Sequence, residues 1–215
     1  MIIKSFVASG FAENAYLIWP EGQQHALAID PGDAPSMLAT LSDEQLQLTA
    51  ILLTHSHIDH IDGVAHLARA TNAAIHLHPE ARIFYDNVAV QGAQFGMRVE
   101  TPPPPTDELA HGQVLHLAGI QLEVRHVPGH APGHVLFYCP QDAAAFVGDV
   151  VFQGSIGRTD LPGGDYQLLM TSIREQVMTL PENTRLYSGH GPATTVGEER
   201  RFNPFIAPLY GGSFA

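Results

Sequence analysis

A chain of 215 residues with 45% hydrophobic side chains can bury one large core or two small ones, and no apolar run reaches the roughly 18 residues of a membrane span. A net charge of −12 with no basic run argues against nucleic acid as a general partner. One cysteine, Cys139, excludes an intrachain disulfide framework and fits a reducing, cytoplasmic setting, and the segment Met1 to Phe6 lacks the apolar stretch and cleavage site of a signal peptide.

Residues 2–7, 14–19 and 26–29 are short apolar or alternating runs separated by turn material, and they read as a β-meander. Asp30 closes the third run, where it reads more readily as a turn former than as a partner of a metal loop. A helix beginning near Pro35 carries Met37, Leu38 and Leu41 on one face. The run Ala50-Ile51-Leu52-Leu53 is a buried strand, and it leads into His55, His57, Asp59 and His60, four possible metal ligands within six residues. In extended backbone, positions i, i+2 and i+4 project to one side, so His55, His57 and Asp59 converge just beyond the strand. His60 breaks the alternation and suits a turn into the helix that carries Ile61, Val64, Ala65, Leu67 and Ala68. Buried imidazoles and an ionised carboxylate need polar partners, so a metal site explains this stretch better than a solvated loop does. Thirteen histidines against ten lysines and arginines point the same way.

Residues 74–77 form a further strand. His76 and His78 alternate with Ile75 and Leu77, which places them on an exposed face and not among the ligands. Residues 80–95 are weakly helical, and Pro102 to Pro105 make a stiff surface loop, expected near the pocket. Residues 114–117 and 120–124 form a hairpin across Ala118-Gly119. His111, His116 and His126 read as surface or satisfied polar residues. Strands follow at 135–138 and 143–147, then a helix at 166–180 with Leu169, Ile173, Val177 and Leu180 on one stripe. A strand at 184–187 and a helix from Gly197, stopped by Pro204, complete the series. Two β-sheets with helices outside them are expected.

Three more strand ends share the design of the His55 stretch. Each reaches a glycine, where the backbone turns sharply, and then a ligand: Gly129-His130, Gly148-Asp149 and Gly189-His190. Each pair alone is an ordinary turn signal. Together with the His55 to His60 stretch they describe four strand ends meeting at one rim.

The motifs THSHIDH, PGHAPGH, VGD and SGHG, in this order and spacing, resemble the metallo-β-lactamase superfamily over nearly the whole chain, and within it the glyoxalase II-like thioesterases. The resemblance implies an α+β fold, an αββα four-layer sandwich with metals at one edge. It implies that His55, His57 and His130 hold one divalent metal and Asp59, His60 and His190 a second, with Asp149 bridging them. Zinc is the expected ion, with iron or manganese also suited. His134, inside PGHAPGH, is expected to support the ligands or the local structure. Hydrolysers of β-lactams resemble the chain at the His55 stretch but lack the bridging aspartate, so Asp149 argues against antibiotic hydrolysis. The stretches GSIGRTDLPGGD and GHGPATTVGEERRFNPF are similar to the short bacterial hydroxyacylglutathione hydrolases, which implies a single domain over 1–215 without a helical C-terminal extension.

The implied reaction is hydrolysis of a glutathione thioester such as S-lactoylglutathione by a hydroxide between the metals, with Asp59 and Asp149 holding the metals. No Ser or Cys nucleophile is needed, and Cys139 is given no catalytic role. Arg158 is the candidate for a glutathione carboxylate, because an arginine fork matches a carboxylate. Tyr187 and Tyr210 are further pocket candidates. The main alternative is a glutathione-persulfide dioxygenase of the same fold, with one iron on His55, His130 and Asp149. A metal-bound interaction module without turnover is a third.

Overall fold

The structure, a computed structural model, describes residues 1–8 and 10–211. The first half of the chain builds one sheet. It comprises β1 (Ile2–Val7), β2 (Asn14–Trp19), β3 (His25–Ile29), α1 (Ala34–Asp43), β4 (Gln47–Leu52), α2 (Ile58–Ile61), α3 (Val64–Thr71), β5 (Ala74–Leu77), α4 (Arg82–Tyr85), α5 (Val88–Gln94) and β6 (Asp107–Glu108). The strands lie in the order β1 to β6, antiparallel through β3 and parallel beyond it. The second half adds β7 (Val114–Leu117), β8 (Ile120–His126), β9 (Val135–Cys139), β10 (Ala144–Gly148), a ribbon of β11 (Val151–Phe152) and β12 (Ser155–Ile156), α6 (Tyr166–Ser172), β13 (Arg185–Ser188), β14 (Thr194–Thr195) and α7 (Val196–Phe202). Its sheet runs β14-β13-β10-β9-β8-β7, with β13 parallel to β10.

Successive side chains on a strand point to opposite faces, and here both faces are covered. Ile18 and Leu52 point between the sheets, where they join Val124, Phe137 and Phe146. Leu17 and Ile51 point outward to Met37, Leu41 and Leu67 of the first helical layer. Leu136 and Ala145 point outward from the second sheet to Leu169, Ile173 and Val177. The layers are therefore helix, sheet, sheet, helix, which is the αββα sandwich. Among the described residues no helix is long and apolar enough to cross a membrane.

Several local details differ from the sequence reading. The helix at 166–180 is α-helical only to Ser172 and then widens into a π-helical turn over Ile173–Val177, although its whole apolar stripe is buried. Residues 80–95 break into a 3-10 turn and two short helices. His76 is buried, not exposed, because β5 lies between β4 and β6 with both faces covered. At Ala118-Gly119 both residues have positive φ (50° and 75°), as a two-residue hairpin turn requires.

Candidate metal centre

β4 runs out through Leu53 and Thr54 to His55. His57 is still extended (φ −66°, ψ 152°), but α2 begins at Ile58. Asp59 and His60 therefore stand on a helical turn; the alternation expected to carry Asp59 on from His57 stops one residue earlier. That change of backbone state divides the stretch in two. His55 and His57 join His130, in the loop between β8 and β9, and the three offer donor atoms all within 4.8 Å of one another. Asp59 and His60 join His190, after β13, within the same limit. Asp149, directly after β10, faces both groups: Oδ1 is 3.4 Å from His60 Nε2, and Oδ2 is 3.6 Å from the Nε2 atoms of both His130 and His190. All seven side chains singled out in the sequence thus surround one space.

The parallel pairing of β10 with β13 sets two of these segments side by side, with Gly189 N–H donating to Gly148 O at 2.8 Å. Gly189 has to be glycine. A Cβ there would collide with Asp149 Oδ1 and stand 2.6 Å from His60 Cε1.

Four of the imidazoles have Nδ1 tied to groups outside the donor set, and the fifth, His57, holds Nδ1 2.9 Å from His130 Nε2. His130 Nδ1 donates to Arg158 O at 2.8 Å, and His190 Nδ1 to Ala12 O at 3.3 Å. His60 Nδ1 donates to Asp30 Oδ2 at 3.1 Å. His55 Nδ1 lies 3.0 Å from Thr54 Oγ1, whose own proton goes to Asp30 Oδ2 at 2.6 Å. A neutral ring that donates from Nδ1 keeps a lone pair on Nε2, here on the side of the shared space. His55 Nε2, His57 Nε2, His60 Nε2 and Asp149 Oδ1 are buried with no hydrogen-bond partner. Unpaired buried acceptors cost about 1–3 kcal/mol each, and borderline divalent cations take this mixture of imidazole and carboxylate. The residues present fit such ions.

Asp30 is more than the turn former expected. It does turn the chain (φ 46°), but its buried carboxylate also accepts from Thr54 N–H at 2.7 Å, from Thr54 Oγ1 and from His60. Glu13 was missed altogether. It is wholly buried, bridges to the backbone of His190, and holds Oε1 3.9 Å from His60 Nδ1 with neither oxygen hydrogen-bonded. No pattern around Glu13 in the sequence signals this. His134 stacks on His55, with ring centroids 4.6 Å apart, and accepts from Asp149 N–H at 3.2 Å.

The two groups differ electrostatically. Burial, reinforced by neighbouring imidazoles, pushes His55 well below the usual histidine range and His57 down to about 4; burial also lowers His130. In the other group burial opposes charge on His60, yet Asp149 and Asp59 outweigh it and raise its pKa well above normal. The hydrogen bond to Asp59 raises His190. Burial works against ionisation of Asp149, but His60, His130 and His190 more than offset it and hold the carboxyl low.

A cleft of about 720 Å³ opens over this centre, lined by candidate ligands on one part and by α4, α5 and the segment from Phe152 to Pro162 on others. Arg158 lines it, exposed and paired with Asp160 through two hydrogen bonds. Tyr187 does not. It stacks on Phe146 in the inter-sheet core, while Tyr210 lies under Arg200 outside the cleft. The proline segment also stays out of the lining; Pro103 O accepts from Tyr85 and braces α4 from behind. Cys139 is buried and donates to Asp142. His78, Glu80 and His126 form another close group, but the two rings stack at 4.3 Å and 10°, so their in-plane lone pairs do not converge on one ion.

The model of the metallo-beta-lactamase superfamily matches residues 8–190. Hydroxyacylglutathione hydrolase GloC of Haemophilus influenzae is 36% identical over 209 residues, covering 96% of this chain and 98% of that protein. Among solved structures, that of BLEG-1 B3 metallo-beta-lactamase superposes with a TM-score of 0.90 at 39% identity, over 95% of this chain and 99% of the other. TTHA1623 in a di-iron-bound form gives 0.86 at 41% identity, over 94% and 100%.

Proposed function

Since the chain belongs to the metallo-β-lactamase superfamily, we propose that it is a metal-dependent hydrolase of thioesters, acting in the cytoplasm, with a glutathione thioester such as S-lactoylglutathione as its substrate. The observation that carries this reading is the pair of donor groups with Asp149 facing both. His55, His57 and His130 would hold one divalent ion, Asp59, His60 and His190 the other, and zinc is the ion proposed. Such a pair supplies a water acidified to a pKa of about 7 and an electrophilic contact for a carbonyl oxygen.

The chain's own groups do the rest. Asp30 and Thr54 fix the rings of His55 and His60, and Arg158 O fixes His130, so the ligands are oriented before anything binds. Asp59 and Asp149, both held ionised by the surrounding imidazoles in spite of burial, can accept a hydrogen bond from the attacking water and aim its oxygen into the cleft. That oxygen would add to the acyl carbon and the C–S bond would break with its electron pair on sulfur; one proton of the water passes to the sulfur and the other to solvent, leaving a carboxylate and a thiol. Arg158, which lines the cleft, would exchange Asp160 for a carboxylate of the thiol arm.

The reading is tested by counting metal per chain and assaying S-lactoylglutathione hydrolysis on the same sample. Two divalent ions with turnover are expected. One iron per chain with persulfide-dependent oxygen uptake would replace the hydrolase by the dioxygenase, and a loaded but inert protein would favour a binding role. The likeness to BLEG-1 supports a second hydrolytic reading, because water can open a strained cyclic amide by the same attack. A chromogenic cephalosporin therefore belongs in the panel; its preference over the thioester would overturn the proposal.

A further inference from the structure

α4 and α5 contribute Ile83, Phe84 and Val90 to the cleft, Phe95 just past α5 adds to them, and Phe11 meets Phe95 edge-on with ring centroids 5.2 Å apart. Ile83, Val90 and Phe95 are 61%, 60% and 58% exposed. Single exposed apolar residues are common on any surface, but a contiguous set lining a cleft marks a binding face. This wall is fixed to the metal loop. Gln91 Nε2 donates to Ser56 O at 2.9 Å, and the Phe84 ring lies 5.4 Å from that of His57. The wall's amides are partly engaged as well, since Asn87 Nδ2 donates to Ile83 O at 2.9 Å. Among the described residues, Arg158 is the one Lys or Arg in the lining. A substrate arm lying on α4 and α5 therefore meets no cation and gains chiefly by leaving water.

We infer that the acyl arm of the substrate is apolar and longer than lactoyl, a medium-chain or aromatic acyl group laid against Phe11, Ile83, Phe84, Val90 and Phe95, with the thiol arm toward Arg158. This rests on the thioester hydrolase reading and narrows it. Each methylene taken out of water favours binding by about fourfold, so the preference grows with chain length until the wall is covered.

The test measures kcat/KM for S-hexanoylglutathione and S-lactoylglutathione on the metal-loaded protein and on Val90→Ser and Phe95→Ser. Both positions are exposed, so folding is not at stake. A hexanoyl preference of at least about tenfold is expected, shrinking about fourfold or more in each variant. A ratio of one or less, or a ratio indifferent to both substitutions, overturns the inference and leaves the hydrolase standing. If neither thioester is cleaved, the hydrolase reading itself falls and takes the inference with it. A dimer that the same substitutions dissociate, with the substrate ratio unmoved, would assign the wall to a second copy of the chain and also overturn the inference.

Discussion

At Asp30 the chain turns, and the carboxylate that the turn delivers holds two of the proposed ligands, His60 directly and His55 through Thr54. Asp30→Asn replaces one oxygen by a donor that faces other donors. It is expected to weaken divalent-ion affinity about 10–100-fold, measured by competition with a chromophoric chelator; unchanged affinity would mean that His60 is oriented by something else. The histidines and aspartates were legible in the sequence because short motifs carry them and glycines mark their turns. Asp30 and Glu13 were not. Their surroundings come from segments far along the chain, such as Thr54, 24 residues from Asp30, and the backbone of His190. His76 misled for a related reason: alternation tells which residues share a face, but not whether another layer covers that face.

Among the elements, four strand ends do most of the positioning, and the tightest approach is that of the segment after β13 to the segment after β10. Gly189→Ala forces a methyl group onto Asp149 and His60. A cost of about 1–3 kcal/mol in denaturant unfolding is expected, together with loss of bound metal, and a variant that keeps full metal content would refute the account of this glycine. The central strands were readable because both of their faces are apolar, as in β2 and β9, whose residues are all buried. The short helices were not. α2 and α4 span four residues each, too few for a helical period to repeat, and the turn at α2 decides which ligand joins which group. The change to a π-helical turn after Ser172 left no trace in the stripe, because Leu169, Ile173 and Val177 are buried in either winding.

For the molecule as a whole, the two-sheet arrangement followed from two successive sets of strands, whereas the parallel β10–β13 contact depends on long-range pairing that no local pattern encodes. Neither donor group exists in the unfolded chain, so bound ions stabilise only the native state. At about 100-fold excess over Kd each site adds about 2.7 kcal/mol, and chelation is expected to lower Tm by about 5–10 °C for each site emptied. An unchanged Tm would mean that no ion had been held. The protection also depends on pH. His60 and His190 have raised pKa values and must shed protons to ligate, whereas His55, His57 and His130 are already neutral. Falling pH should therefore weaken one of the two equivalents in a metal titration more steeply than the other. The hydrogen bond from Asn14 Nδ2 to Ser188 O joins positions 174 residues apart, close to where the second donor group is completed. Contacts over such a separation close late, so the complete second donor group is offered to an ion only once the two sheets have come together. On the proposed reading the ions enter a vessel already built, and a cell short of them is expected to hold folded, empty protein awaiting its charge.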